Sequence, residues 1–300
     1  MLTPHPIPYQ GSKRWIAPVI VSCLPKDTSR LLEPFAGSAA ITLAAAQRAK
    51  VKEFLLGDIN APLIRLWEAI IYRPEELANQ YEALWAKQKG QERVFYDSIR
   101  DRFNRKHQPA DFLYLLARCV KAAIRYNHKG EFNNSPDNRR RGAHPETMRH
   151  RIRGASRLLR GKTQLDACDY TETLRKAHAK DVIYMDPPYQ GVCRKRDSRY
   201  LGPVCRKKFE EALSELNARG ISFIISYDGR CGTQEYGEPL PEKLELVHLE
   251  IPAGRSSQAT LLGRDRTTVE SLYLSKALVD RTRGVPNTLR RFCAQQLTMF

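Results

Sequence analysis

The chain has 300 residues, is 42% hydrophobic and carries a formal net charge of +17. This length admits one large domain, or one domain with a smaller insert; no run approaches the ~20 apolar residues of a membrane span, and seven cysteines without a CxxC pair argue against a disulfide framework or a zinc site. The basic excess points to a polyanionic partner such as nucleic acid, the more so because Lys and Arg cluster at Arg139-Arg140-Arg141, along Arg149 to Lys162, at Arg194-Lys195-Arg196, at Arg206-Lys207-Lys208 and from Arg281 to Arg291.

The chain begins MLTPHPIPYQGSK, with no apolar segment after a basic start, so no signal peptide is expected and a cytoplasmic location is. Ser29 to Leu32 reads as a short strand, EPFAGSA as a turn and AITLAAAQRAK as a helix. Glu53 to Leu56 reads as the next strand, ending at Gly57 and Asp58. A glycine turn after one strand and a carboxylate about 20 residues on, after the next, is the pattern of a doubly wound α/β sheet that binds a nucleoside at the carboxyl ends of its strands. From Ala61 to Gly161 helical periodicity dominates, interrupted by a polar, basic, turn-rich stretch from Asn127 to His144. This predicts a mostly helical insert with a loop or hairpin. Strands resume at Thr163 to Ala167 and at Asp181 to Met185. An amphipathic helix from Lys208 to Arg219, closed by Gly220, leads to a buried strand at Ile221 to Ser226. Leu244 to Ile251 and Val269 to Leu274 read as a final antiparallel pair.

The segment with the clearest chemistry is Asp186-Pro187-Pro188-Tyr189, which follows the apolar strand DVIYM. Two prolines fix φ and hold the preceding residue extended, giving a stiff turn that offers carbonyls and no N–H groups. An amine lying against it would donate one hydrogen to Asp186 and one to the Pro187 carbonyl. That geometry exposes the nitrogen lone pair for attack on a sulfonium methyl, while Tyr189 stacks on the attached base. A duplex base reaches such a pocket only after flipping out of the helix.

In motif order the chain resembles the Dam-type (alpha-class) adenine-specific DNA methyltransferases, whose cofactor motif precedes a target-recognition insert and whose catalytic motif follows it. YQGSKR (Tyr9 to Arg14), EPFAGSA (Glu33 to Ala39), GDIN (Gly57 to Asn60), RYNHKGEFN (Arg125 to Asn133), DACDY (Asp166 to Tyr170), DPPY, SYDG (Ser226 to Gly229) and AGRSSQA (Ala253 to Ala259) carry the resemblance. It implies a Rossmann-like methyltransferase sheet formed by residues 1–60 and 162–280, with residues 61–161 as a mostly helical target-recognition domain. It implies an enzyme that moves a methyl group from S-adenosylmethionine to the N6 amine of adenine in double-stranded DNA. Asp186, Pro187 and Tyr189 are then catalytic, and Tyr9, Lys13, Phe35, Gly37, Asp58, Asp169, Tyr170 and Asp186 hold the cofactor. Lys121, Arg125, Asn127, Arg139, Arg140, Arg194, Arg196 and Arg199 meet DNA; for Arg125 and Asn127 the alternative is bracing the hairpin. Trp15, Trp67 and Trp85 read as packing residues. The helix before RYN reads ARCVKAAIRYN, with Val120 and Lys121 where well-known members carry aromatic and asparagine residues that engage DNA; the resemblance therefore implies the reaction and not the recognition sequence.

Residues 281–300 form a basic C-terminal tail ending Gln296-Leu297-Thr298-Met299-Phe300. This pentapeptide resembles those that dock on the bacterial sliding clamp, with Gln296, Leu297, Met299 and Phe300 as the contacts. The resulting expectation is a monomeric, cytoplasmic enzyme at the bacterial nucleoid or of phage origin, either an orphan or the modification half of a restriction system. The alternatives are the same chemistry on cytosine N4 or RNA, and a DNA-binding protein that keeps the fold without catalysis.

Overall fold

The computed structural model describes residues 2–188, 204–231, 234–235, 238–255 and 267–284. Expectations for Tyr189, Arg194, Arg196, Arg199, Ser256 to Ala259 and the segment Gln296 to Phe300 lie outside the described residues.

Helix α1 (Ala17–Ser22) precedes the unit β1 (Arg30–Glu33), α2 (Ala40–Gln47) and β2 (Glu53–Gly57). The helical stretch follows as α3 (Ala61–Tyr72), α4 (Pro74–Lys87), α5 (Glu92–Lys106), α6 (Pro109–Arg118) and α7 (Pro145–Leu159). Proline in the first turn sets the start of α3, α4, α6 and α7, where its missing N–H costs nothing. The chain then runs through β3 (Thr163–Asp166), α8 (Tyr170–Arg175), β4 (Val182–Met185), α9 (Arg206–Ala218) and β5 (Ser222–Cys231). It ends in β6 (Gln234–Glu235), β7 (Val247–Arg255), β8 (Thr267–Leu274) and α10 (Lys276–Arg281).

Among the described residues these strands form one sheet in the order β3-β2-β1-β4-β5-β8-β7, with β6 paired to β5. The pairs from β3 to β5 are parallel and those of β8 with β5 and β7 are antiparallel. Strand order reverses between β1 and β4, because β1 continues to β2 on one side and β4 to β5 on the other. Side chains alternate between two cores. Leu31, Phe54, Leu56, Val182, Tyr184 and Ile224 face one, with α1, α2 and the helices from α3 to α7. Leu32, Leu55, Ile183, Met185, Phe223 and Ile225 face the other, with α8 and α9. Burial on both faces explains the unbroken apolar run Val182–Met185. The buried side chains of the helical stretch 61–159 are continuous with the first core.

Three expectations change in detail. The helix expected from Lys208 begins two residues earlier, at Arg206, and ends at Ala218 before Gly220 at φ +64°. The helix before RYN stops at Arg118, and Lys121 and Ala122 both take left-handed backbone, φ 58° and 52°. Part of the basic run 149–162 faces other protein groups. Arg149 donates to Asn79 and Glu82, Arg153 to Glu75, and Arg160 to the carbonyls of Ile71 and Tyr72. Among the described residues no helix is long and apolar enough to cross a membrane.

Candidate active site

The carboxyl ends of β1 and β4 lie side by side at the reversal of strand order, the position at which open α/β sheets form a ligand crevice. A cavity of about 670 Å³ opens there. All eight residues expected to hold a cofactor line it: Tyr9, Lys13, Phe35, Gly37, Asp58, Asp169, Tyr170 and Asp186, as does Pro187.

The turn between β1 and α2 forms one wall. Gly37 has φ +46°, and a Cβ there would stand 3.2 Å from the Tyr9 ring, so glycine admits both the backbone and the close aromatic. Gly37 N donates to Asp58 Oδ2 at 3.1 Å, and its carbonyl accepts from Trp67 Nε1 at 3.0 Å. Ser12 and Ser38 share a hydroxyl contact of 2.7 Å. Below the turn, the buried Glu33 accepts from Thr42 N at 2.5 Å. Burial pushes the Glu33 carboxyl up to about 7, against the pull of Thr42 and with a smaller push from the charge of Asp186.

Asp58 is no helix cap. Its Oδ1 accepts from Asn60 N at 2.9 Å, its Oδ2 from Gly37 N, and Asn60 precedes α3 as the capping position. Burial raises Asp58 to about 6, with both N–H donors opposing. A carboxylate has about four acceptor sites, so two remain for a ligand. Opposite, Phe35 stacks on Tyr170 at 5.2 Å between ring centroids. Asp169 caps α8, accepting from Thr171 N and Oγ1 at 3.0 and 2.6 Å.

The Asp186-Pro187-Pro188 turn forms the floor. Lys13, 5% exposed, places Nζ 3.1 Å from Asp186 Oδ1 and 3.5 Å from Glu270 Oε2. Burial disfavours the Lys13 charge, but the carboxylates of Asp186 and Glu270 outweigh it and hold the ammonium above the ordinary lysine pKa. The sequence reading placed Lys13 against a cofactor; the structure adds an ion pair with the DPPY carboxylate.

The donor set fits a nucleoside joined to an amino acid: a carboxylate acceptor for vicinal hydroxyls, an aromatic pair for a base, and opposite charges for a zwitterion. Tyr170 Oη and Gln10 Oε1, on residues lining the cavity, are buried without a hydrogen-bond partner among the described residues, as expected of groups that a polar ligand completes. Among the described residues no group of His, Cys, Asp and Glu is placed to hold a metal.

On the neighbouring side, Lys121 is exposed and Arg125 half-buried. Asn127 is committed to its own turn, accepting from Lys129 N and Glu131 N and donating to Glu131 Oε2. These contacts brace the hairpin. Arg139 and Arg140 are exposed beside Asp137, on a loop fastened from within by Arg118 to the Arg140 carbonyl and by Gln88 to that of Arg141. Sequence reasoning missed Glu33, Asn60, Glu270 and the indole donor of Trp67. The signal for Glu33 and Asn60 was present, as polar residues inside EPF and GDIN. None existed for Glu270, a lone acid in a strand.

A family model described as D12 class N6 adenine-specific DNA methyltransferase matches residues 9–250. The chain is similar to the DNA N-6-adenine-methyltransferase of Escherichia phage P1, 27% identical over 237 residues, 76% of this chain and 30% of that protein. It is 32% identical over 190 residues to the retron Ec67 DNA adenine methylase of Escherichia coli, 61% of this chain and 63% of that one. To the DNA adenine methylase of Serratia marcescens it is 31% identical over 164 residues, 53% and 57% of the two chains. The chain thus spans less than two thirds of the length of each of these relatives. The family match runs from Tyr9 through the glycine turn, the helical stretch and the DPP turn into β7, and on that ground the chain belongs to the D12 class of N6 adenine-specific DNA methyltransferases.

Proposed function

We propose that the protein methylates the exocyclic N6 amine of an adenine flipped out of duplex DNA, with S-adenosylmethionine as donor. The observation that carries this reading is the Asp186-Pro187-Pro188 turn, which leaves β4 into the same cavity as the β1 glycine turn and Asp58. When bound, S-adenosylmethionine supplies an electrophilic methyl group on a sulfonium. Asp58 accepts hydrogen bonds from the ribose hydroxyls; Phe35 and Tyr170, with Tyr9, Gly37 and Asp169, enclose the nucleoside. Asp186 and the Pro187 carbonyl each accept one hydrogen of the adenine amine, which directs the nitrogen lone pair at the methyl carbon. The amine would take the methyl group as its bond to the sulfonium sulfur breaks, leaving S-adenosylhomocysteine, and would lose one of these protons to solvent. Lys13 anchors the Asp186 carboxylate from the side, and Tyr189 stacks on the flipped base. The main contributions are positioning and fixed charge.

In the same proposal residues 1–60 and 162–280 form the catalytic domain and 61–161 the recognition domain, in a monomer acting in the cytoplasm. Lys121, Arg125, Arg139, Arg140, Arg194, Arg196 and Arg199 meet the phosphates and the distorted duplex. Asp186→Ala is expected to bind DNA with nearly wild-type affinity while turnover drops by roughly 100-fold or more, the range of a lost transition-state contact. Near-normal turnover in that variant would refute the mechanism. The segment Gln296 to Phe300 is proposed to dock on a sliding clamp: its deletion should abolish clamp capture in a pull-down and leave methylation of naked DNA intact. Failure of the intact protein to capture the clamp ends that idea.

A further inference from the structure

The segment that follows α6 is tied to the cofactor cleft by two struts. The first is Tyr126. Its ring is 4% exposed and packs edge-on against Phe132, its antiparallel bridge partner. Its hydroxyl donates to Asn60 Oδ1 at 3.1 Å, across 66 residues of sequence. Asn60 in turn donates its backbone N–H to Asp58 Oδ1, and Asp58 Oδ2 holds Gly37 N. The second strut is the Ala122 carbonyl, which accepts from Gln10 N at 3.1 Å beside the Tyr9 ring that covers Gly37. Both struts start from one short segment, and each ends next to a residue that touches Gly37: Asn60 beside Asp58, and Gln10 beside Tyr9.

That segment is strained. Lys121 and Ala122 take left-handed backbone in succession, a costly arrangement for residues with a Cβ. Asn134 holds it, with Nδ2 on the carbonyls of Val120 and Ala123 at 3.0 and 2.9 Å. Exposed residues flank the struts on both sides in the chain: Lys121 before them, and His128 to Glu131 after them. A duplex pressing on them acts on a backbone whose shape depends on groups of the cofactor cleft.

We propose that the buried Tyr126–Asn60 hydrogen bond couples DNA binding to cofactor binding, with Tyr126 and Asn60 as positioning residues that let either ligand order the site of the other. This rests on the function proposed above. Tyr126 is too buried to touch DNA and does not line the cavity; the cavity residue its hydroxyl holds is Asn60. By linkage the effect is reciprocal.

The test uses the full chain and S-adenosylhomocysteine, the unreactive product, titrated calorimetrically with and without saturating unmethylated mixed-sequence duplex. The wild type should bind it about five-fold more tightly with DNA present, the worth of one net hydrogen bond. Tyr126→Phe keeps the ring and removes the donor. It should bind S-adenosylhomocysteine alone within about two-fold of wild type and lose the tightening by DNA. A merely structural tyrosine would lower the melting temperature and leave the ratio of the two affinities unchanged. Asn60→Ala should also lose the DNA effect, and combining the two should remove no more than either alone; it carries the test if Tyr126→Phe does not fold. A wild-type ratio preserved in Tyr126→Phe, or no DNA effect in the wild type, overturns the coupling. Failure of the wild type to bind S-adenosylhomocysteine at all would instead overturn the proposed function.

Discussion

A carboxyl group buried where a strand ends must be held by donors or lose its charge, and Glu33 does something of both. Thr42 N satisfies one oxygen, yet burial still pushes the group up to about 7 from an ordinary 4.5. The folded protein therefore keeps a proton that the unfolded chain releases at lower pH. The cost of ionised Glu33 is full above pH 7, shrinks as pH falls and is gone near pH 4.5. Glu33→Gln preserves the acceptor for Thr42 and should raise the melting temperature at pH 8, by stability on the order of 3 kcal/mol. The gain should fade to nothing by about pH 4.5; a gain independent of pH would contradict this account. At this scale the sequence was legible where a motif names both residue and neighbour. Tyr9, Lys13, Phe35, Gly37, Asp58, Asp169, Tyr170 and Asp186 line one cavity. It was illegible where a role depends on a partner distant in the chain. Trp67 read as packing because nothing local shows its indole reaching Gly37 O, and Glu270 meets Lys13 only because β8 crosses to β5.

At the scale of elements, the β-α-β unit, the strand before DPP and the closing antiparallel pair were legible from apolar runs and turn residues. The basic clusters were not, because equal composition hides unequal surroundings. Arg149 is 15% exposed and paired with Glu75 and Glu82 of α4, whereas Arg139 is 87% exposed on a fastened loop. The two sites should therefore behave differently. Arg139→Ala with Arg140→Ala should weaken DNA binding across sequences and lower the slope of log affinity against log salt by roughly 1–2. Arg153→Ala, which breaks an exposed pair with Glu75, should leave both the melting temperature and that slope close to wild type. Fluorescence anisotropy over a salt series separates them, and equal slopes for both variants would contradict the assignment. The turn at Lys121 was hidden for a related reason. Its left-handed backbone is set by Asn134 and Gln10, and helix propensity alone favours continuing α6.

At the scale of the molecule, one sheet separates two cores and brings β1 and β4 together where strand order reverses. The helical stretch shares its core with one face of that sheet, so the exposed basic loop and the cleft belong to one continuous body. The net charge of +17 suits a polyanion, and the cleft suits a nucleoside joined to an amino acid; the DPP turn lies within it. The most direct test of the central claim is nucleoside mass spectrometry of unmethylated mixed-sequence duplex incubated with the protein and S-adenosylmethionine. N6-methyladenine is the expected product; N4-methylcytosine, or no methylated nucleoside at all, would refute adenine methylation.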